Sequence, residues 1–175
     1  QKPLPEDAAG IIPVVASDTT GDWVLRDVQI SGQDGFIDAE GSTGDWRIVG
    51  STIELPFIAD SSEGDWMITD TVIDGDIRAG ESGGNWRISN STAVTLDAVA
   101  ATGDWEVRRS LLRNINARET GGNWRVAGSG VLGVNDRASI FAHAAVGQWT
   151  IQGSYLGTGL SVANTNSAWA VRNSW

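Results

Sequence analysis

One six-residue phrase recurs along the chain and constrains its fold more than any other feature. Residues 43–48 read TGDWRI, and related phrases surround seven further tryptophans. These eight tryptophans are separated by 19 to 25 residues: Trp23, Trp46, Trp66, Trp86, Trp105, Trp124, Trp149 and Trp169. A unit this short cannot bury an apolar face alone, so successive units must stack on one another. The sequence therefore predicts a solenoid.

Alignment on the tryptophans shows three short stretches of alternating apolar and polar residues in each repeat. The second residue after Trp is always Leu, Ile or Val, as in Ile48. Another stretch starts five residues after Trp, mostly with Ser or Thr, and a third precedes the next Trp, as in Ile37 and Ala39. Alternation with period two is typical of half-buried strands. Each repeat is thus predicted to form three short strands, and the Gly-Asx pair before Trp a turn with positive φ.

This pattern resembles the right-handed parallel β-helix of the pectate-lyase-like superfamily, whose coils have three faces. The resemblance covers residues 12–175 and rests on architecture, without a motif of a specific family. It implies an all-β fold of about eight coils of 19–25 residues with three short strands per coil. The Pro-containing N-terminal residues separately predict an extended arm over residues 1–11. Many members of that superfamily cleave acidic polysaccharides with carboxylates, sometimes calcium, and an arginine or lysine base.

The alternation also predicts that the tryptophans point inward. Trp46 and Ile48 share one face of their strand, and Arg47 takes the other. All eight rings would then form a stacked core ladder, and each would bury a large apolar surface. The alternative is a shift in register by one residue, which would expose every ring as an aromatic strip suited to sugars.

A polar column directly precedes the tryptophans: Asp22, Asp45, Asp65, Asn85, Asp104, Asn123 and Gln148. We expect these side chains to bond to nearby backbone and along the solenoid axis. Like charges stacked in a column repel, and Arg47 and Arg87 on the same outer strip are expected to offset them. Alternatively, Asp22, Asp45 and Asp65, about 4.8 Å apart, are weak candidate ligands for calcium. The sequence predicts no other cofactor or metal.

Composition narrows the range of partners. The net charge is −10 and the only lysine is Lys2, whereas phosphate recognition needs clustered basic groups. This argues against nucleic acid and anionic membrane as partners. Without cysteine there is neither a disulfide framework nor a thiolate metal site. No apolar run approaches the roughly 18–20 residues of a membrane span, so membrane insertion is not expected.

The residues do not favour catalysis. The only histidine, His143, lies in an FAHAAV context near Asp136 and Arg137, where we expect a packing or turn residue. The two longer insertions, Ser31–Phe36 and Leu132–Ser139, are about five coils apart, or roughly 24 Å along the axis. They are too distant to share a small site. The basic cluster of Arg108, Arg109, Arg113 and Arg118 is expected to balance the acidic columns.

The two ends of the predicted solenoid complement each other. The N-terminal segment has an extra third strand, whereas the last repeat ends without one. We therefore predict head-to-tail association in which the N-terminal strand of one subunit completes the final coil of the next. The predicted assembly residues are Ile12, Val14, Ala16, Trp169, Val171 and Trp175. An arm folded back as a cap, or continuation of the repeat in a longer solenoid, are the alternatives.

A further column, six residues after each Trp, should face outward but contains Val72, Leu111 and Tyr155. An apolar strip of this kind often marks packing between subunits.

The sequence as a whole predicts a secreted, non-catalytic structural protein that assembles end to end in an extracellular filament or a viral or cell-surface appendage. Secretion is expected because Gln1 is the type of start that cleavage of a leader leaves. The alternative is a carbohydrate-binding module or a small polysaccharide lyase or hydrolase on the same fold, with a polysaccharide as partner.

Overall fold

A computed structural model describes residues 14–32, 35–134 and 138–175. Within these ranges the chain forms strands and no helix. The strands are β1 (Val14–Val15), β2 (Trp23–Arg26), β3 (Gln29–Ile30), β4 (Ile37–Asp38), β5 (Trp46–Val49), β6 (Thr52–Ile53), β7 (Phe57–Ile58), β8 (Trp66–Thr69), β9 (Val72–Ile73), β10 (Ile77–Arg78), β11 (Trp86–Ser89), β12 (Thr92–Asp97), β13 (Trp105–Arg108), β14 (Leu111–Asn116), β15 (Trp124–Ala127), β16 (Gly130–Val131), β17 (Ile140–His143), β18 (Val146–Gln152), β19 (Tyr155–Leu156), β20 (Leu160–Ala163) and β21 (Asn166–Arg172). The predicted arm over residues 1–11 and the assembly residue Ile12 lie outside the described ranges.

The strands stack in parallel from one repeat to the next, which confirms the all-β parallel solenoid of about eight coils. The strands that begin at or just before each tryptophan form one eight-stranded sheet, in the order β2-β5-β8-β11-β13-β15-β18-β21. We call this sheet the Trp face. Its register pairs like with like, so Trp46 lies opposite Trp23 on one side and Trp66 on the other.

The other two faces belong to a single 13-stranded sheet. The second face follows the Trp face in each coil, and the third face precedes the next tryptophan. In most coils these faces are separate short strands, as predicted. In β12 and β14, each of six residues, the second and third strands run together without a break.

The core lies between the three faces and follows the predicted alternation. Ile48 and Ile53 are fully buried, as is Phe57, which contacts Trp46 with ring centroids 4.8 Å apart. The outward neighbour Arg47 is exposed. Because every coil repeats this pattern, a continuous apolar column forms along the axis.

A buried hydroxyl column follows the Trp face, five residues after each tryptophan. The Thr71 hydroxyl donates a hydrogen bond to the Thr69 carbonyl, at 2.8 Å, and accepts one from the Ser51 N–H of the preceding coil, at 3.4 Å. Ser91 and Ser110 repeat both contacts in their own coils. The column therefore satisfies backbone groups at the corner where the Trp face ends.

The corners of the coil are single residues in the left-handed conformation. In all eight repeats they occur four residues after Trp and five residues before it, for example at Asp70 (φ 51°) and Ser61 (φ 56°) around Trp66. The predicted positive φ at the Gly-Asx pair is therefore wrong, with Gly147 (φ 98°) the one exception among the described residues.

Glycine stands before the Asx residue for a different reason. A Cβ on Gly103 would lie 2.0 Å from the Gly84 carbonyl oxygen of the preceding coil, and one on Gly64 would lie 2.1 Å from that of Gly44. The backbones of successive coils approach too closely there for any side chain.

Candidate functional site

The tryptophan column is an internal stack. Consecutive rings have centroids 4.6–5.1 Å apart and planes within 2–8° of each other. The six interior tryptophans, Trp46, Trp66, Trp86, Trp105, Trp124 and Trp149, are only 0–3% exposed. The inward orientation is thus confirmed, and these rings are not a surface strip for sugars.

The indole nitrogens of this stack contribute no hydrogen bonds. The Nε1 atoms of Trp23 and of the six interior tryptophans are buried and have no partner. Unpaired buried donors cost free energy, so the column is stabilised by ring contact and burial alone. Its role is to join coils.

The polar column before the tryptophans forms a second axial ladder. The Asp45 N–H donates to a carboxylate oxygen of Asp22 at 2.9 Å, the Asp65 N–H to Asp45 at 2.9 Å, and the Asn85 N–H to Asp65 at 2.8 Å. Asp104, Asn123 and Gln148 continue the series. This bears out the expected bonding to backbone along the axis, and it offsets part of the repulsion between stacked carboxylates.

The candidate calcium ligands are engaged in hydrogen bonds with backbone N–H groups. One carboxylate oxygen of each of Asp22, Asp45 and Asp65 accepts a backbone N–H of the next coil. Within the described ranges, no group of three acidic or imidazole side chains is placed to hold a metal ion.

Arginines on the Trp face pair with a glutamate rather than with this acidic column. Glu106 makes ion pairs with Arg87 at 3.1 Å, Arg108 at 3.4 Å and Arg125 at 3.9 Å. Arg87 thus pairs with Glu106, and in the described structure Arg47 makes no ion pair within 4 Å, so neither arginine offsets the Asp column through an ion pair.

A shallow groove of about 740 Å³ runs along the outside of the Trp face. One wall is the Asx column, and the other is the outward residue after each tryptophan, including Arg47, Met67 and Arg125. The groove presents carboxylates, amides and guanidinium groups at the spacing of the coils.

The single histidine lies on the outside of the third face. His143 Nε2 is 2.7 Å from the Ser161 hydroxyl, and the His143 ring contacts Phe141 edge-on. The neighbours Asp136 and Arg137 lie outside the described ranges. Among the described residues no carboxylate bonds to the ring, so none of them completes a catalytic triad with His143 and Ser161.

The predicted assembly residues occupy the two ends of the stack. At the N-terminal end, β1 pairs with β4 on one edge only, and Val14 packs against the core. At the C-terminal end, β21 pairs with β18 on one edge only. Trp169 is 51% exposed, and Val171 and Trp175 are also exposed. Ala16 belongs to the N-terminal end as well, where its N–H donates to the Asp38 carbonyl.

The Trp face and the third face each contain eight strands. Neither of these two faces therefore extends beyond the other at the ends of the solenoid, unlike the offset that the sequence predicted. The incomplete part of the last coil is the second face, where Trp175 alone pairs with β19 through its backbone. Contact between ends would therefore be the stacking of one coil on another.

Comparison with known proteins adds no relative to this picture. No protein-family model matches the sequence, and no curated protein or solved structure is significantly similar to it. The described residues include no helix that could cross a membrane. The function must therefore be argued from the surfaces of the solenoid.

Proposed function

We propose that this chain is a non-catalytic structural subunit that stacks end to end, in an extracellular filament or in a viral or cell-surface appendage. The observation that carries the proposal is the abrupt change in exposure along the tryptophan column. The six interior rings are 0–3% exposed, whereas Trp169, in the last coil, is 51% exposed. A second copy would cover this ring just as each coil covers the one before it.

The backbone at both ends supports the same contact. Strands β2 and β21 each have one edge without a strand partner in the described part of the chain. Exposed edges of this length are templates for pairing with another chain. A parallel strand of a second copy would extend the Trp face without any change of register, because Trp23 and Trp169 hold the same position in their coils.

The distribution of charge favours head-to-tail contact over contact between two N-terminal ends. Residues 1–70 contain 14 Asp and Glu against 3 Lys and Arg, whereas residues 71–175 contain 8 against 9. The last 38 residues have no acidic side chain and one arginine, Arg172. Two N-terminal ends would bring Asp18, Asp22 and Asp27 against their own copies, and like charges in contact are unfavourable.

Two departures from the repeat make the junction weaker than the contacts inside one chain. Val28 stands where every later coil has Ser or Thr, and Ala168 stands where earlier coils have Asp, Asn or Gln. Neither side chain supplies the oxygen that accepts a backbone N–H of the neighbouring coil. The hydroxyl and Asx ladders therefore stop at the junction, and the single chain is the unit that would dissociate.

A pair of variants at the C-terminal end tests the proposal. Trp169→Glu places a charge on the stacking surface and should leave a monomer, as measured by light scattering after size exclusion and by negative-stain imaging. Ala168→Asn adds an exposed amide oxygen that can accept the Asp22 N–H of the next copy, and it should lengthen the assemblies. Thr150→Glu, on the outer surface one coil earlier, is the control for added charge. A wild-type chain that stays monomeric at every concentration would contradict the proposal.

The groove on the Trp face favours a second candidate function, the binding of a polysaccharide. Its walls carry the carboxylate, amide and guanidinium groups that hydrogen-bond sugar hydroxyls. Calorimetry with neutral and acidic oligosaccharides tests it, with Arg47→Ala and Arg125→Ala as groove variants. Saturable binding by a monomer that both variants weaken would favour this function over assembly.

A further inference from the structure

The outside of the second face carries an apolar strip that the end-to-end contact does not use. Val72 is 48% exposed and Leu111 is 45% exposed, and Thr92 lies in register between them. The next outward residues in the same three coils are Asp74, Val94 and Arg113. These six residues line one groove of about 440 Å³, which we call the second-face groove.

The groove has three charged lining residues, Glu54, Asp74 and Arg113, and the two that lie in these three coils are unpaired. Ion pairs in the described structure involve Arg78, Arg87, Arg108 and Arg125, and neither Asp74 nor Arg113 takes part in one. Asp74 and Arg113 belong to coils two apart, so they are separated by about 10 Å along the axis. They are too distant to pair with each other, and Val94 lies in the coil between them.

We propose that two copies of the chain pair side by side and antiparallel through the second-face groove, with a two-fold axis at Val94. The rotation exchanges the coil of Asp74 with the coil of Arg113. Each Asp74 then faces the second copy's Arg113, and each Val72 faces the second copy's Leu111. The three central coils are thus complementary to themselves, as a two-fold interface requires, while Glu54 and the second copy's Leu132 face each other at the margin of the contact.

The charges also select this orientation over a parallel one. Two copies side by side in the same direction and at the same level would place Asp74 against Asp74 and Arg113 against Arg113. Like charges in contact across an interface oppose binding. The antiparallel pair instead gains two ion pairs at the rim of an apolar contact.

The contact between two second-face grooves is small, so it is effective between filaments rather than between single chains. The three coils of the strip span roughly 10–15 Å, so one strip buries much less than the roughly 800 Å² per partner of a stable interface. Single rods therefore pair weakly. In a filament the strip recurs once per subunit, and the contacts reinforce one another. This consequence, the lateral pairing of filaments, rests on the proposed function.

The formation of a disulfide between two copies tests the antiparallel pairing directly, since the chain has no cysteine of its own. Val94→Cys puts a thiol on the two-fold axis, with no separation from its copy along the solenoid axis. Leu132→Cys is the matched control: Leu132 is 43% exposed and lines the same groove two coils away from Val94. Its copies would be about 19 Å apart in the antiparallel pair, beyond the roughly 7 Å Cα separation that a disulfide spans.

Each cysteine is introduced in a separate variant that also carries Trp169→Glu, so that end-to-end stacking does not contribute to the yield of dimer. Under mild oxidation we expect a covalent dimer from Val94→Cys and little from Leu132→Cys. Equal yields from the two variants, or no dimer from Val94→Cys, would overturn the proposal. Filament loss in Trp169→Glu reports on the proposed function, and the disulfide reports on this inference, so the two can fail separately.

Charge reversal provides the second arm. Asp74→Arg alone and Arg113→Asp alone should each slow the formation of the Val94→Cys dimer about tenfold. The two reversals combined should restore it, because each new arginine then faces a new aspartate on the second copy. A double variant as slow as the singles, or slower, would rule out the paired arrangement.

Discussion

Removing one ring from the middle of the tryptophan column should destabilise the fold far more than removing one at its open end. Trp86 is 3% exposed and stacks on both sides, at 4.6 Å from Trp66 and 4.9 Å from Trp105. Trp169 is 51% exposed and stacks on Trp149 alone, at 5.1 Å. The same substitution to alanine therefore removes two ring contacts in one case and one in the other.

The expected magnitudes follow from burial. A fully buried tryptophan covers about 150–250 Å², which at 25 cal/mol per Å² corresponds to about 4–6 kcal/mol. Measured losses for buried Trp→Ala changes are about 3–5 kcal/mol. We therefore expect Trp86→Ala to lower the free energy of unfolding by about 4 kcal/mol. Trp169→Ala, with half of its ring already in water, should lower it by about 2 kcal/mol.

Urea titration followed by far-UV circular dichroism gives both values from one experiment. It is done at a protein concentration where size exclusion shows monomer, so that assembly does not stabilise either variant. Trp86→Phe is the matched control, because it keeps an aromatic ring in the column. Equal losses for Trp86→Ala and Trp169→Ala would show that the stack is not a core element.

The remaining predictions concern single positions in the coil and use the same titration. Gly103→Ala should lower the free energy of unfolding by at least about 3 kcal/mol, because the new Cβ clashes with the Gly84 carbonyl. Gly21→Ala, in the same column but with nothing within 4 Å, should be nearly neutral. Similar losses for the two variants would refute close approach of the backbones as the reason for glycine. Ala100→Gly should stabilise the protein by about 0.5–1 kcal/mol, since Ala100 has φ 58°, and a destabilised variant would contradict this. Asp65→Ala should cost about 1 kcal/mol by removing the acceptor of a backbone N–H on the next coil, and Asp65→Asn, which keeps an acceptor oxygen, should cost less.

Periodicity was sufficient to predict the architecture, because alternation around Trp46 and Ile48 fixes which side of the strand is buried. The close packing of coils was not apparent from the sequence. A glycine before Asx fits a turn with positive φ and a crowded backbone equally well, and only the stacked coordinates of Gly103 and Gly84 distinguish the two.

The corners have a signal of their own in the sequence, at the residue four after each tryptophan. The residue four after Trp is Asp27, Gly50, Asp70, Asn90, Arg109, Gly128, Gly153 or Asn173, a column rich in the residues that tolerate the left-handed region. Charge pairing was less predictable, since Arg87 reaches Glu106 in the next coil rather than the Asp column. The ion-pair partner of a long side chain depends on the geometry between neighbouring coils, which the spacing of residues in the sequence does not specify.

Helical reconstruction of wild-type assemblies by cryo-electron microscopy tests the central claim most directly. Eight coils at about 4.8 Å each predict an axial advance of about 38 Å per subunit. The indole column should continue across each junction, with Trp169 of one subunit stacked on Trp23 of the next. Subunits joined only through their sides, or isolated rods of one fixed length at all concentrations, would contradict end-to-end assembly.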